Sequence, residues 1–403
     1  LQRPLPRMYR VRQQFDETRL EDVAGTVRAE LAKPEIRALV KPGMRIAVGV
    51  GSRGIQNLYT IVETTVNSLK ELGAEPFIVS AMGSHGGGTE EGQREVLAGY
   101  GITEERLGVP VVTTVDTVYL GNCANGRPVW FDRAAYEADL IVPINRVKLH
   151  TDFVGPIQSG LCKMLVIGLG NHKGCSAVHE EAPEVFAGAI EETARLILQK
   201  APVGFGIAIL ENAYDKTYAV EAVPAEHLVE REKELVQIAK GNMPYIMLDE
   251  ADVIVCGAIG KDISGAGFDP NILGRSSVLK QFVLHIPRYQ RLVLCDVTPA
   301  SHGNGIGVGL FDVITKKVAE QLDLESMYAN AIACNCLGDA SVPCTVDDEE
   351  TAIRVALKCC RNIDRDHPRI IRIQNTLHLG EIEVSEALLD AVRADSRMSL
   401  IEN

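Results

Sequence analysis

Leu140-Ile-Val-Pro-Ile144 runs straight into residues 145–175, NRVKLHTDFVGPIQSGLCKMLVIGLGNHKGC. A short, β-branched apolar run bounded by polar and turn residues predicts a buried strand, of the kind found in parallel sheets. The glycine-rich segment after it holds His150, Lys163 and His172 among small and apolar side chains. Polar groups buried without partners cost free energy, so these three need partners, and a bound metal or anion would supply them. On this stretch alone, a glycine-rich loop with satisfied core histidines accounts for the residues equally well.

The same arrangement recurs elsewhere. Met44-Arg-Ile-Ala-Val-Gly-Val50 reads as a strand, Gly51-Ser-Arg-Gly54 as a turn, and Ile55 to Leu72 as a helix. Backbone N–H groups at such a helix start can hold an anion, and Arg53 would add a bidentate donor. Pro76-Phe-Ile-Val-Ser-Ala-Met82 is the next strand, ending in Gly83-Ser-His-Gly-Gly-Gly-Thr89, with Thr89 as a helix N-cap before Glu90 and Glu91. His85 therefore sits at the carboxyl end of a strand, where open α/β sheets place their ligands. Alternating strands and helices of this kind predict an α/β fold.

Further along, Ala182–Gln199 and Glu221–Ala239 read as helices on either side of strand Gly204–Leu210, and a fresh α/β pattern begins near Tyr245 with strand Val253–Cys256. At 403 residues the chain is too long for one ordinary core. We therefore expect two α/β domains with a cleft between them: a catalytic, cofactor-binding domain over 1–244 and a C-terminal α/β domain over 245–372. The remainder, 373–403, is expected to be helical from Val384 on and to pack back on the first domain. In the C-terminal domain, the loop Gly260–Arg275 places Lys261, Asp269, Asn271 and Arg275 toward that cleft, and Ser301-His-Gly-Asn-Gly305 adds His302. Neither a P-loop ending nor the G-x-G-x-x-G dinucleotide fingerprint occurs in the right context.

Composition narrows the partners. Apolar residues make up 46% and charged residues 24%, an ordinary globular balance. A net charge of -13 works against nucleic acid and anionic membranes. A small carboxylate remains a possible substrate, given a local pocket of cations and backbone N–H groups. No apolar run approaches the ~20 residues needed to span a bilayer, and the basic N-terminus has no apolar core of a secretory signal. Ten cysteines in a chain of this size predict reduced thiols and a cytoplasmic location. Cys334, Cys336, Cys359 and Cys360 lack the C-x-x-C spacing of a zinc site.

With these pieces in order, the chain resembles the nickel-dependent lactate racemase family. The likeness rests on Ser52-Arg53 after a strand, Gly83-Ser-His85 followed by Thr-Glu-Glu, the run Phe153-Val-Gly-Pro-Ile-Gln-Ser-Gly-Leu-Cys-Lys163 after His150, and the pair Asn171-His172. It implies a racemase or epimerase, an isomerase of a 2-hydroxy acid, working by proton-coupled hydride transfer to a nickel-pincer nucleotide made by cofactor-maturation enzymes. By the same resemblance Lys163 carries the cofactor covalently, Ser52 and Gly160 help to bind it, and His172 is the nickel ligand. His85 and His150 are the acid/base pair, and Arg53 holds the substrate carboxylate. Lys261, Asp269, Asn271, Arg275 and His302 remain candidates for reading the rest of the substrate.

This sequence departs from the family at three points. The interval from His150 to Lys163 is longer than usual, and that from Lys163 to His172 is shorter. The Gly260–Arg275 loop lacks the Tyr-Gln and Lys pattern expected of a lactate-specific member, which points to another 2-hydroxy acid. Protein made without the maturation enzymes is expected to be apo. The alternatives are a divalent-metal hydrolase or lyase acting on a small carboxylate, and a non-catalytic cofactor-binding homologue.

Overall fold

The computed structural model describes residues 3–52 and 54–402. They divide into two units: Glu17–Met243, and a second unit made from both ends of the chain, Leu1–Asp16 and Pro244–Asn403. Strand β1 (Met8–Gln13), first in the chain, thus belongs with the C-terminal residues.

In the first unit, β2 (Arg45–Val50), β3 (Glu75–Ser80), β4 (Val111–Val112), β7 (Leu140–Arg146), β8 (Phe205–Glu211) and β9 (Thr217–Pro224) form one sheet in the order β4-β3-β2-β7-β8-β9. All its pairings are parallel except β8 with β9. β2 and β3 are buried from their second residue on and β7 over its first five, as expected for strands covered on both faces, so they read as continuous apolar runs. The chain winds outward from β2 through β3 to β4, then returns to β7 and winds the other way. The junction of β2 and β7 is therefore a topological switch point. A hairpin, β5 (Thr117–Asn122) with β6 (Pro128–Asp132), lies outside this sheet. The stretch expected as a helix from Glu221 to Ala239 begins instead as the end of β9, and its helix is Leu228–Gly241. The alternation of Val220, Ala222 and their neighbours suits a strand paired along β8.

The second unit joins β1 with β10 (Val253–Cys256), β11 (Arg291–Leu294), β12 (Val313–Thr315), β13 (Cys344–Val346), β14 (Ile370–Ile373), β15 (Glu381–Ser385) and β16 (Met398–Leu400). Their order is β13-β12-β11-β10-β14-β15-β1-β16. Residues 373–403, expected to pack back on the first domain and to be helical from Val384 on, supply β15 and β16 to this sheet, with a short helix, Leu389–Ala394, between them. The reason is hydrogen-bonding: β1 pairs antiparallel with both, Val11 lying opposite Ile382 and Leu400. No helix among the described residues is long and apolar enough to cross a membrane.

Candidate active site

Loops from the carboxyl ends of β2, β3 and β7 converge on the switch point of the first unit. Ser52 follows β2, and its hydroxyl makes a short hydrogen bond with Nδ1 of His85, which follows β3. Two side chains of the helix Glu90–Gly99 and its end hold these loops. The Tyr100 hydroxyl donates to the Ser52 carbonyl at 2.9 Å. Gln93, wholly buried, accepts from Ser80 Oγ at 2.6 Å and donates to the carbonyls of Gly83 and His85 at 3.0 and 3.4 Å. Thr89 caps that helix by accepting the Gly92 N–H. At Gly83, φ is +61° and a Cβ would sit 3.0 Å from the Ile167 carbonyl, so a side chain is doubly disfavoured where the loop meets residues 167–168. Arg53 lies outside the described residues.

His150 follows β7. Its backbone N–H donates to Gln158 Oε1 at 2.7 Å, its Nδ1 accepts the Asp152 N–H at 3.1 Å, and its ring stacks on Phe153 at 4.3 Å. The other ring nitrogen, Nε2, lies 2.5 Å from Lys163 Nζ. Which of the two nitrogens carries the proton between them depends on the ring's tautomer. The pair is thus arranged to share one proton. Lys163 ends a single helical turn, Leu161–Lys163, that passes into a π-turn, Met164–Gly168, closed by the Leu169 N–H on the Met164 carbonyl. Gly160, just before the turn, is extended at φ 175° and accepts Asn145 Nδ2 at 2.9 Å.

The expected loop at Asn171–His172 is the start of a helix, Asn171–His179. Asn171 enters it in the left-handed region, φ 51°, and donates to the buried carboxylate of Asp132 at 2.9 Å. Burial pushes Asp132 up to about 6 against its hydrogen bonds. His172 is exposed, lines a surface hollow with Asn125, Arg127, Trp130 and Lys173, and its ring makes no hydrogen bond, ion pair or ring contact among the described residues. Two turns on, His179 is differently placed. Its Nδ1–H donates to the Cys175 carbonyl at 2.7 Å, and its ring meets Phe186, which packs on Phe153, the ring under His150. The Cys175 thiol, 3.5 Å away, raises His179 above the ordinary imidazole value, while the positive charge of Lys163 opposes that rise. Burial pushes Cys175 up, but His179 and Ser84 outweigh it and leave the thiol below its ordinary value.

With this geometry in place, comparison with known proteins becomes specific. Residues 7–187 match the family described as the lactate racemase N-terminal domain. That part of the chain is similar to the lactate racemase family. Among solved structures, the lactate racemase apoprotein from Thermoanaerobacterium thermosaccharolyticum is similar at 13% identity, a TM-score of 0.57, and coverage of 91% of this chain and 93% of that one. A Thermotoga maritima protein is similar at 14% identity and a TM-score of 0.51, covering 82% and 85%. At such identities these two likenesses concern the fold, mixed α/β. No curated protein sequence matches significantly.

The second unit places its candidates in separate surroundings. Lys261 donates from its backbone to Ser301 Oγ at 2.8 Å and from Nζ to the Gly265 carbonyl at 2.7 Å and to Asn330 Oδ1. His302 follows Ser301, exposed and left-handed at φ 47°. Asp269 and Asn271 are buried; the Asp269 carboxylate caps the turn Pro270–Leu273 by accepting the Asn271 N–H, and its backbone N–H donates to Thr376 Oγ1. Arg275 is held by Asp312 and the Leu310 carbonyl and lies over the Tyr289 ring. Three residues of the first unit escaped the sequence reading: His179, Gln93 and Glu232. Gln93 and Glu232 each occupy the buried side of an amphipathic helix, the one available signal.

Proposed function

We propose that this protein is an isomerase, a racemase or epimerase of a small 2-hydroxy acid, working with a nickel-pincer nucleotide carried on Lys163. The observation that supports the reading best is the Lys163 amine held against His150 at a sheet switch point, with His85 on the neighbouring loop. β3 and β7 flank β2 on opposite sides. The loops bearing His85 and His150 therefore leave the sheet about 10 Å apart, two strand spacings, which suits one imidazole on each side of a small substrate.

The residues present fit the cofactor. Lys163 offers an amine for the covalent link, and His179 offers one imidazole whose Nδ1–H is committed to a backbone carbonyl, leaving Nε2 as the ligand atom. We assign the nickel to His179 in place of His172, which faces a different part of the surface. When bound, the cofactor supplies reversible two-electron chemistry at the substrate's C2. The chain's own residues do the rest. Ser52 fixes the His85 ring through Nδ1, so that Nε2 is presented, and His85 or His150 takes the hydroxyl proton from its own side and returns it from either. Arg53 is assigned to the substrate carboxylate. A simple divalent ion held by protein alone would need a different constellation: among the described residues no group of three or more His, Cys, Asp or Glu could hold one.

The test uses the chain co-expressed with cofactor-maturation enzymes. Intact mass should show an adduct that maps to Lys163, and pure enantiomers of a 2-hydroxy acid panel should yield their mirror forms. Protein that takes up neither adduct nor nickel under those conditions, or that carries the adduct and racemises none of the panel, refutes the reading.

A further inference from the structure

We propose that Glu232 is a positioning residue for Lys163, its buried carboxylate gripping the turn that aims the amine at His150. Glu232 lies on the helix Leu228–Gly241 among buried Leu228, Val229, Leu235 and Val236, with no exposed surface of its own. A carboxylate in that setting costs free energy unless hydrogen bonds hold it. Its Oε2 accepts the backbone N–H of Cys162 at 2.8 Å, with the Leu161 N–H close enough to pull on the charge, while Oε1 has no hydrogen-bond partner among the described residues. Those two amides open the turn that Lys163 ends, and such amides have no partner inside their own helix. Gly160 completes the fit: a Cβ there would lie 2.6 Å from the carboxylate carbon, so only glycine lets Glu232 close on the turn.

This architecture ties the amine's position to the charge on Glu232. Ionised, the carboxylate makes charge-assisted hydrogen bonds to the turn; protonated, it holds the same amides more weakly. Burial lifts Glu232 to about 7 against the pull of those amides, so both forms are populated near neutrality. The Cys162 thiol, pushed up first by burial and then by Glu232, stays neutral beside it. From the helix Phe186–Lys200, Glu191 and Arg195 face this region paired to each other. On its own helix, Arg231 is paired with Glu221 and Glu234, and Lys233 with Glu191 and Glu230.

The inference rests on Lys163 as the functional amine, but its test needs no cofactor. The full chain, unloaded, is pulsed with an N-hydroxysuccinimide acetate between pH 5.5 and 8.5. Acetylation of Lys163 is read by peptide mass relative to Lys41, an exposed lysine of the same unit. Wild type should show an inflection near pH 7, Lys163 labelling about tenfold more slowly, relative to Lys41, above it than below. Glu232→Gln should remove the inflection, and Glu232→Asp should restore part of it. A folded Glu232→Gln protein with the wild-type profile overturns the proposal. Should that variant fail to fold, a wild-type profile with no inflection, or amide resonances of Leu161 and Cys162 that do not titrate in that range, overturns it alone. An intact profile in protein that takes up no cofactor would leave this inference standing and sink the proposed function.

Discussion

Asp132 makes a quantitative prediction because its surroundings decide its charge. It is buried at the end of β6, accepts the Ala135 N–H at 2.8 Å, and meets Asn171 Nδ2 at 2.9 Å at the start of the helix that bears His179. Burial raises its folded value from 3.8 to about 6. Between those two pH values the folded protein binds more proton than the unfolded chain, so stability falls as pH rises. The contribution is complete below about 3.8 and gone above about 6. At 1.36 kcal/mol per pH unit, the interval amounts to about 3 kcal/mol. Asparagine is a close mimic of the protonated acid. Asp132→Asn should therefore match wild type near pH 4 and exceed it by up to about 3 kcal/mol at pH 7 and above. The protein carries its own probe, since the sole tryptophan, Trp130, lies two residues away on the same strand. Urea unfolding followed by its fluorescence, from pH 4 to 8, gives the difference directly. Glu232 imposes a slope of the same sign over an overlapping range, but it is common to both proteins and cancels in the difference. A variant that is less stable than wild type at pH 7, or a difference that does not change with pH, would refute the reasoning.

Two further outcomes follow from the site. His179→Ala should abolish nickel retention in matured, desalted protein measured by elemental mass spectrometry, while His172→Ala should keep it; the reverse result would return the ligand role to His172. Gln93→Ala leaves the buried Ser80 hydroxyl and the Gly83 carbonyl without their partner. It should cost about 2–4 kcal/mol in urea unfolding and lower racemisation by more than the unfolded fraction explains, because the His85 loop loses its anchor.

Much of the candidate site was legible because of where it lies. His85 and His150 stand at strand ends, and strands buried on both faces announce themselves as apolar runs. The place of His179 was not legible, for a geometric reason. Between Lys163 and His179 the backbone passes through a π-turn and then a left-handed residue, Asn171. Each changes the phase of the helix, so residue spacing alone does not say which histidine shares a side with Lys163. His172, of the Asn-His motif, lines a surface hollow with Trp130 and Lys173. Glu232 was hidden differently, as one acid in a helix rich in surface acids, whose burial depends on a turn about 70 residues earlier. The C-terminal strands failed for want of locality: what makes Glu381–Ser385 a strand is Met8–Gln13, at the other end of the chain.

That last pairing carries a consequence for how the protein is made. β1 leaves the ribosome well before its flanking partner β16, which begins only at Met398. At about 5–20 residues per second, β1 waits roughly 20–80 s for both neighbours. Residues 17–243 can fold meanwhile, as an insertion within a unit still missing its far half. A waiting strand is an open edge that invites wrong partners. Arg10 and Arg12 along it act as gatekeepers during that interval, and both then meet Glu381 across the finished sheet. The arginines that end as modest surface ion pairs would thus have their larger effect earlier, in keeping the nascent chain apart from its neighbours.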